Sequence, residues 1–248
     1  IELIELYFDL DGTFPNHEAN PLEPENLRDL QEAVRVHQAD LGLAFDGDAD
    51  RCFVVDERGE PVSPSVIGTM VARREISRVR DQLGENQPTI LHNLICSKAL
   101  AESIESEGAI AKRTPVGHSL IKDIMASTGA VFGAEHSAHY YFRDFFGADS
   151  GMLAALHVIA ELGGQEATLS ELATRDHPYV QSGEINFRVA DPQAVIAALE
   201  AEFGAKWSVD RLDGLTVFGP EAGGSMWWFN VRASNTEPLL RLNVEAAT

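Results

Sequence analysis

The 248-residue chain is 44% hydrophobic and 23% charged, the composition of an ordinary globular protein with room for two or three domains. Its formal net charge of −20 excludes nucleic acid and anionic membrane as partners, and any phosphorylated ligand must find local positive charge inside a cleft. Met152–Leu162, the most apolar stretch, is too short to cross a bilayer and is interrupted by His157 and Glu161. Cys52 and Cys96 lie in apolar runs without metal-ligand spacing, so reduced core thiols and a cytoplasmic setting are expected. The chain opens on Ile1 inside a strand-like pattern and stops at Thr248 just after another, so both ends read as cut.

Ile1–Leu10 reads as a strand and Asp11–Pro24 as a proline-punctuated loop. Pro24-Glu25-Asn26 opens a helix to about Gln38, with Leu27, Leu30 and Val34 on one face. Leu41–Asp56 is a strand, an acidic loop and a second strand, and Arg58-Gly59 marks a turn and a first boundary. Pro64 to about Leu83 is helical, and three strand–helix repeats follow. They are Pro88–Ile95 with Ser97–Glu107, Ala109–Pro115 with His118–Ser127, and Ala130–Glu135 with Ser150–Leu162. Such alternation implies a parallel sheet, with ligand residues in the loops at the carboxyl ends of its strands. That rule selects Ile95–Lys98, Thr114–His118 and Glu135–Arg143. After Gln165 the pattern becomes Ser182–Val189 (strand), Pro192–Phe203 (helix) and three short strands, Leu215–Phe218, Met226–Arg232 and Leu239–Glu245. The expected architecture is α/β with mixed or parallel sheets, followed by a small α+β domain, in units 1–59, 60–175 and 176–248.

The acidic loop sets Asp46, Asp48 and Asp50 at alternate positions, with Gly47 and Ala49 leaving room for a tight fold. Three converging carboxylates call for a hard divalent cation, and Mg²⁺ suits a site with few protein ligands. Arg51 adds a planar donor fork for a phosphate beside the metal. An EF-hand loop would need glycine where Arg51 stands, and helices rather than strands on its flanks. FDLDGT, residues 8–13, matches the nucleophile motif of haloacid-dehalogenase-type phosphotransferases, with Asp9 as nucleophile and Asp11 as acid/base. That family places its metal-binding acidic motif much further downstream than this chain does.

Three further loops carry chemistry. GAEHSAHYYF, residues 133–142, offers Glu135 and Ser137 for sugar hydroxyls and His139 as general acid/base, an imidazole being suited to proton transfer near neutrality. TPVGHSLIK, residues 114–122, sets His118 and Lys122 one helical turn apart near an anion-favouring N-terminus. RASNTEP, residues 232–238, joins two apolar strands, with Arg232, Ser234, Asn235 and Thr236 composing a phosphate nest.

FDGDADR, TPVGHSLIK, GAEHSAHYYF and RASNTEPLLRLNVEA, in this order, resemble the α-D-phosphohexomutase superfamily over nearly the whole chain, in its phosphomannomutase/phosphoglucomutase branch. DGTFPNHEANPLEPENL is similar to the second-domain segment of that family, which makes FDLDGT a coincidental match. The resemblance implies the later part of domain two and domains three and four of a four-domain enzyme. It implies Asp46, Asp48 and Asp50 as Mg²⁺ ligands and Arg51 as a phosphate-facing residue. It implies Glu135 and Ser137 on sugar hydroxyls, His139 as acid/base, and Arg232, Ser234, Asn235 and Thr236 on the non-reacting phosphate. The substrates would be hexose phosphates, with a hexose 1,6-bisphosphate as intermediate and activator. The alternatives are the dehalogenase-type enzyme and a sugar-phosphate-binding fragment without turnover.

The departures from the family pattern are specific. Ala49 and Ala138 stand where glycine is common, and Ile95 where related enzymes often carry a substrate-binding Lys. Nothing matches the Ser-His-Asn-Pro-type phosphoserine motif of domain one, so the remaining domains are expected in the same protein and no turnover from this chain alone. EHS and the Asn of RASNTEP are similar to the mannose/glucose branch rather than the glucosamine branch.

Overall fold

The computed structural model describes residues 1–220, 226–234 and 239–247. A 3₁₀ turn at Pro24–Leu27 leads into helix α1 (Arg28–His37), stopped by Gln38 in the left-handed conformation. Strands β1 (Leu41–Phe45) and β2 (Cys52–Asp56) pair antiparallel, Leu41 opposite Asp56 and Phe45 opposite Cys52, and the acidic loop spans their ends. β3 (Pro61–Val62) completes this sheet.

The first expected strand is absent. Residues 1–10 carry no strand, and Ile1, Leu3, Phe8 and Leu10 are exposed. Alternating apolar residues make a strand only where a neighbouring ladder takes up the backbone N–H and C=O groups. The described sheet, ordered β1-β2-β3, offers this segment no ladder.

Helix α2 (Pro64–Leu83) starts on a proline, ends at Gly84 (φ 68°), and buries Val66, Ile67, Met70, Val71, Ile76 and Val79. Beyond it lies a five-stranded sheet ordered β5-β4-β6-β7-β8. Its parallel part is β4 (Thr89–Asn93), β5 (Ile110–Thr114) and β6 (Phe132–Ala134), connected through α3 (Lys98–Ser106) and α4 (His118–Thr128). β7 (Tyr140–Phe142) and β8 (Ala148–Asp149) extend it antiparallel, lead into α5 (Gly151–Leu162), and lie inside what the sequence presents as loop. Strands this short carry no readable periodicity, and only burial of Tyr140, Tyr141 and Phe142 against the sheet makes them strands. α6 (Leu169–Asp176) was also not expected, although Thr168 and Glu171 form a capping box that marks its start.

One apolar core runs from Cys52, Phe53 and Val54 of β2 through α2 to Phe132, Tyr140 and Val158. The first hairpin therefore shares the middle sheet's core, which fixes the acidic loop at that sheet's carboxyl edge. Both cysteines are buried and free. Among the described residues no helix is long and apolar enough to cross a membrane.

The last part is an antiparallel sheet ordered β10-β11-β12-β13-β9: Ser208–Asp210, Leu215–Phe218, Trp227–Ala233, Leu239–Ala246 and Val180–Arg188. Helix α7 (Pro192–Phe203) lies over it, with Phe203 edge-on to Phe229. Its carboxylates reach back to the middle unit. Glu245 Oε1 accepts from Lys98 N at 2.9 Å and from the Trp228 indole N–H at 2.8 Å, and Asp213 Oδ2 accepts from Val116 N at 3.1 Å. These acceptors meet the amino-terminal ends of α3 and α4, where unsatisfied N–H groups favour an anion.

Candidate active site

The hairpin brings oxygens of Asp46, Asp48 and Asp50 within 4.8 Å of one another. The loop is closed by Ala49 N–H donating to the Asp46 carbonyl (3.1 Å), with Ala49 itself at φ 59°. That conformation is uncomfortable for a residue with a Cβ and easy for glycine, which accounts for the glycine expected here in the family. Arg51 fixes Asp46 through its backbone N–H (3.1 Å) and its Nε (2.7 Å). Burial works against ionisation of Asp46, but the bonds and charge of Arg51 hold its carboxyl below the usual range. Asp50 goes the other way. Burial, then the charges of Asp46, Asp48 and Asp149, push it up to about 6. Asp50 Oδ1 is buried with no hydrogen-bond partner. Three clustered carboxylates with an orphaned oxygen among them are a hard donor set, and they fit Mg²⁺.

The second loop is tied to the first by its backbone. Arg51 and His139 form an isolated antiparallel bridge, and Cys52 N–H donates to the Ala138 carbonyl at 3.3 Å. Ala138, at φ 67°, closes the turn by donating to the Glu135 carbonyl. His139 Nε2 then lies 3.6 Å from Asp50 Oδ1, and its Nδ1 lies 2.9 Å from Ser137 Oγ. Burial holds the His139 imidazole below its ordinary value, against the upward pull of Glu135 and Asp149. A neutral ring with one nitrogen held by Ser137 can take up a proton at the other.

Glu135 is buried and oriented by three donors: Tyr141 OH on Oε2 at 2.7 Å, and Asn93 Nδ2 (3.2 Å) and Gly117 N (3.3 Å) on Oε1. Asn93 is a site residue the sequence reading missed, two positions before the stretch it selected after β4. Its amide also donates toward His136 Nδ1 at 2.9 Å, and its oxygen accepts from Ile95 N and Cys96 N. Asp149, just before the Ser150 cap of α5, was missed as well, and it pairs with Lys122 Nζ at 2.7 Å. Lys122 turns inward over the Tyr141 ring, whereas His118 at the start of α4 is exposed, so the two do not present one common face.

On the last sheet, Arg232 is buried and its Nη2 donates to Glu184 at 2.9 Å. Arg241 lies 3.2 Å from the other Glu184 oxygen and reaches Ser234 Oγ at 3.4 Å. Burial, then the charges of Arg232 and Arg241, lower the His136 pKa to about 3. Asn235 and Thr236 lie outside the described residues. Asp9, the dehalogenase-type nucleophile, sits in an exposed segment without the strand that would present it, and Asp11 is taken up by Thr13.

The fold and the clustered carboxylates, imidazole and guanidiniums invite comparison with known proteins, and the matches give the family. Three successive segments match models of the phosphoglucomutase/phosphomannomutase family: alpha/beta/alpha domain II over residues 1–59, alpha/beta/alpha domain III over 64–179, and the C-terminal domain over 184–248. The chain belongs to the α-D-phosphohexomutase superfamily. It is 40% identical to a phosphomannomutase of Salmonella typhimurium over 250 residues, covering 99% of this chain and 52% of that protein. It is also 40% identical to a Xanthomonas campestris protein described as phosphohexose mutases, over 98% of this chain and 52% of that one. Among solved structures, a phosphoglucomutase/phosphomannomutase family protein from Burkholderia thailandensis matches with a TM-score of 0.85 and 31% identity, over 100% of this chain and 51% of that chain. The chain thus spans about half the length of the relatives it matches.

Proposed function

We propose that this chain supplies the metal, sugar and distal-phosphate sites of a cytoplasmic phosphomannomutase/phosphoglucomutase. The whole protein would interconvert hexose 1-phosphate and hexose 6-phosphate through an enzyme phosphoserine and a hexose 1,6-bisphosphate. The observation that carries this reading is the Arg51–His139 bridge, which holds the acidic loop and the His139 loop face to face. A bound Mg²⁺ at Asp46, Asp48 and Asp50 would supply charge neutralisation for a transferring phosphoryl group.

The chain's own residues do the rest. Arg51, anchored on Asp46, offers its remaining guanidinium donors to a phosphate. Glu135, with its oxygens fixed by Tyr141, Asn93 and Gly117, and Ser137 accept from ring hydroxyls and set the sugar's orientation. His139 takes the proton of the hydroxyl that receives the phosphoryl group and returns it to the one that loses it. Arg232 and Ser234, with Asn235 and Thr236, hold the far phosphate, while His118 and Lys122 offer further donors to the substrate. The donor serine is assigned to the half of the relatives' length that this chain does not span.

The test is an assay of the whole protein with mannose and glucose 1-phosphates, Mg²⁺ and a bisphosphate activator, with Arg232→Ala beside it. Loss of one charge-assisted contact should weaken both sugar phosphates about equally, by about 2 kcal/mol or thirtyfold. Binding of hexose phosphates without turnover by the whole protein would favour a sugar-phosphate-binding protein instead.

A further inference from the structure

Asp50 faces two groups of potential ligands, and only one of them is the acidic loop. The other is made with His139 and Asp149, whose ligand atoms and that of Asp50 all lie within 4.8 Å of one another. The Asp149 side chain is 7% exposed; Lys122 occupies its Oδ1, and its Oδ2 is buried with no hydrogen-bond partner. Asp50 Oδ1 is orphaned in the same way, 3.6 Å from His139 Nε2. Bonds of about 2.0–2.1 Å at a tetrahedral centre put neighbouring ligand atoms about 3.3–3.4 Å apart, so this separation needs only a few tenths of an ångström of adjustment.

We propose that Asp50, His139 and Asp149 form a second cation site, one that takes a borderline divalent ion such as Zn²⁺ or Co²⁺ in preference to Mg²⁺.

Two features support the assignment. The imidazole is the right donor and is correctly held. Ser137 Oγ occupies Nδ1 at 2.9 Å, leaving Nε2 toward the two carboxylates, as an outer-shell partner orients a ligating histidine. Nitrogen with two carboxylates ranks Zn²⁺ and Co²⁺ above Mg²⁺, whereas the oxygen set of Asp46, Asp48 and Asp50 favours the hard ion. The three ligands are also preset by backbone rather than by long side chains. Gly151 N–H donates to the Ala49 carbonyl at 3.1 Å, Ser150 N–H to the Tyr140 carbonyl at 3.0 Å, and Asp149 stands opposite Tyr141 in the sheet. Segments around positions 50, 139 and 149 therefore hold one another in place before any ion arrives. The site needs no turnover, so it stands or falls apart from the mutase reading. If both hold, an ion here takes the lone pair that His139 needs for its proton and blocks the reaction.

Co²⁺ is the probe, titrated into the 248-residue chain under millimolar Mg²⁺ and followed by its visible ligand-field bands. One tight Co²⁺ with bands of a nitrogen-containing site is expected. His139→Gln should abolish those bands, and Asp149→Asn should weaken Co²⁺ by about tenfold or more while leaving Mg²⁺ affinity unchanged. Asp48→Asn should do the reverse. Lys122→Met keeps all three ligands and removes a competing cation from Asp149, so Co²⁺ should bind more tightly; this variant decides the matter if Asp149→Asn does not fold. Stoichiometric displacement of Co²⁺ by Mg²⁺, equal weakening by Asp48→Asn and Asp149→Asn, or no tightening in Lys122→Met would overturn the proposal.

Discussion

Gly151 and Arg51 are in backbone contact: a Cβ on Gly151 would overlap the Arg51 carbonyl, and it would crowd the Ala49 carbonyl to which Gly151 N–H donates. The start of α5 is thus the floor of the acidic loop. Gly151→Ala must push that loop away, because neither backbone can yield without breaking the other's hydrogen bonds. Overpacking of this kind costs roughly 1–3 kcal/mol. The expected result is a matching loss in urea-unfolding stability together with weakened Mg²⁺ binding by calorimetry. Unchanged Mg²⁺ affinity would show that the loop tolerates the shift.

Ala49 and Ala138 both hold positive φ, and glycine would relieve each, but the two positions should respond differently. Ala49 is half-buried, so Ala49→Gly should stabilise by about 0.5–1 kcal/mol. Ala138 is completely buried, and losing its methyl group, worth about 0.8 kcal/mol, offsets the relief. Ala138→Gly should therefore be near neutral. Equal stabilisation in denaturant titrations of the two variants would contradict the role given to burial.

His92 makes stability depend on pH. Burial, with a smaller push from Arg113 and against a bond to the Asn93 carbonyl, lowers its pKa to about 4. The unfolded chain binds this proton near pH 6.5, so between about 6.5 and 4 the unfolded state holds more protons than the folded one. Stability from this group is fully present above that window and is lost as pH falls through it, by up to about 3 kcal/mol. His92→Leu should flatten the slope of unfolding free energy against pH over that range. A variant as steep as the parent would assign the slope to other groups.

Glu245 joins the last sheet to the middle unit, accepting from Lys98 N–H and the Trp228 indole on one oxygen while fully buried. Glu245→Ala removes the acceptor of the buried Trp228 indole and of the half-buried Lys98 N–H and should cost roughly 2–4 kcal/mol. Glu245→Gln keeps an acceptor oxygen and should recover about half of that loss. Limited proteolysis near residues 177–183, where the chain passes from α6 to β9, should accelerate in the alanine variant and much less in the glutamine one. No difference between the variants would mean that the sheet is held by its other contacts, such as Tyr179 with Glu102 and Arg113 with Asp210.

The residues of the acidic loop, the Glu135–His139 loop and the Arg232 turn were legible in the sequence because their chemistry is local. Alternating aspartates, an imidazole beside a carboxylate and an arginine at a strand end each declare a donor set within a few positions. The long helices were legible for a similar reason: Pro64, Gly84 and Gly129 start and stop them by backbone geometry, and the Ser97 hydroxyl caps α3 by accepting from Ala99 N–H. Tertiary structure decided the rest. The apolar alternation of residues 1–10 meets no ladder and forms no strand, whereas Tyr140–Phe142, too short to show a period, becomes one because a sheet edge is waiting for it. Asn93 and Asp149 carry no motif. Their placement beside Glu135 and Asp50 depends on which strands and turns pair across dozens of residues, and local spacing cannot report a contact that only the packed chain makes.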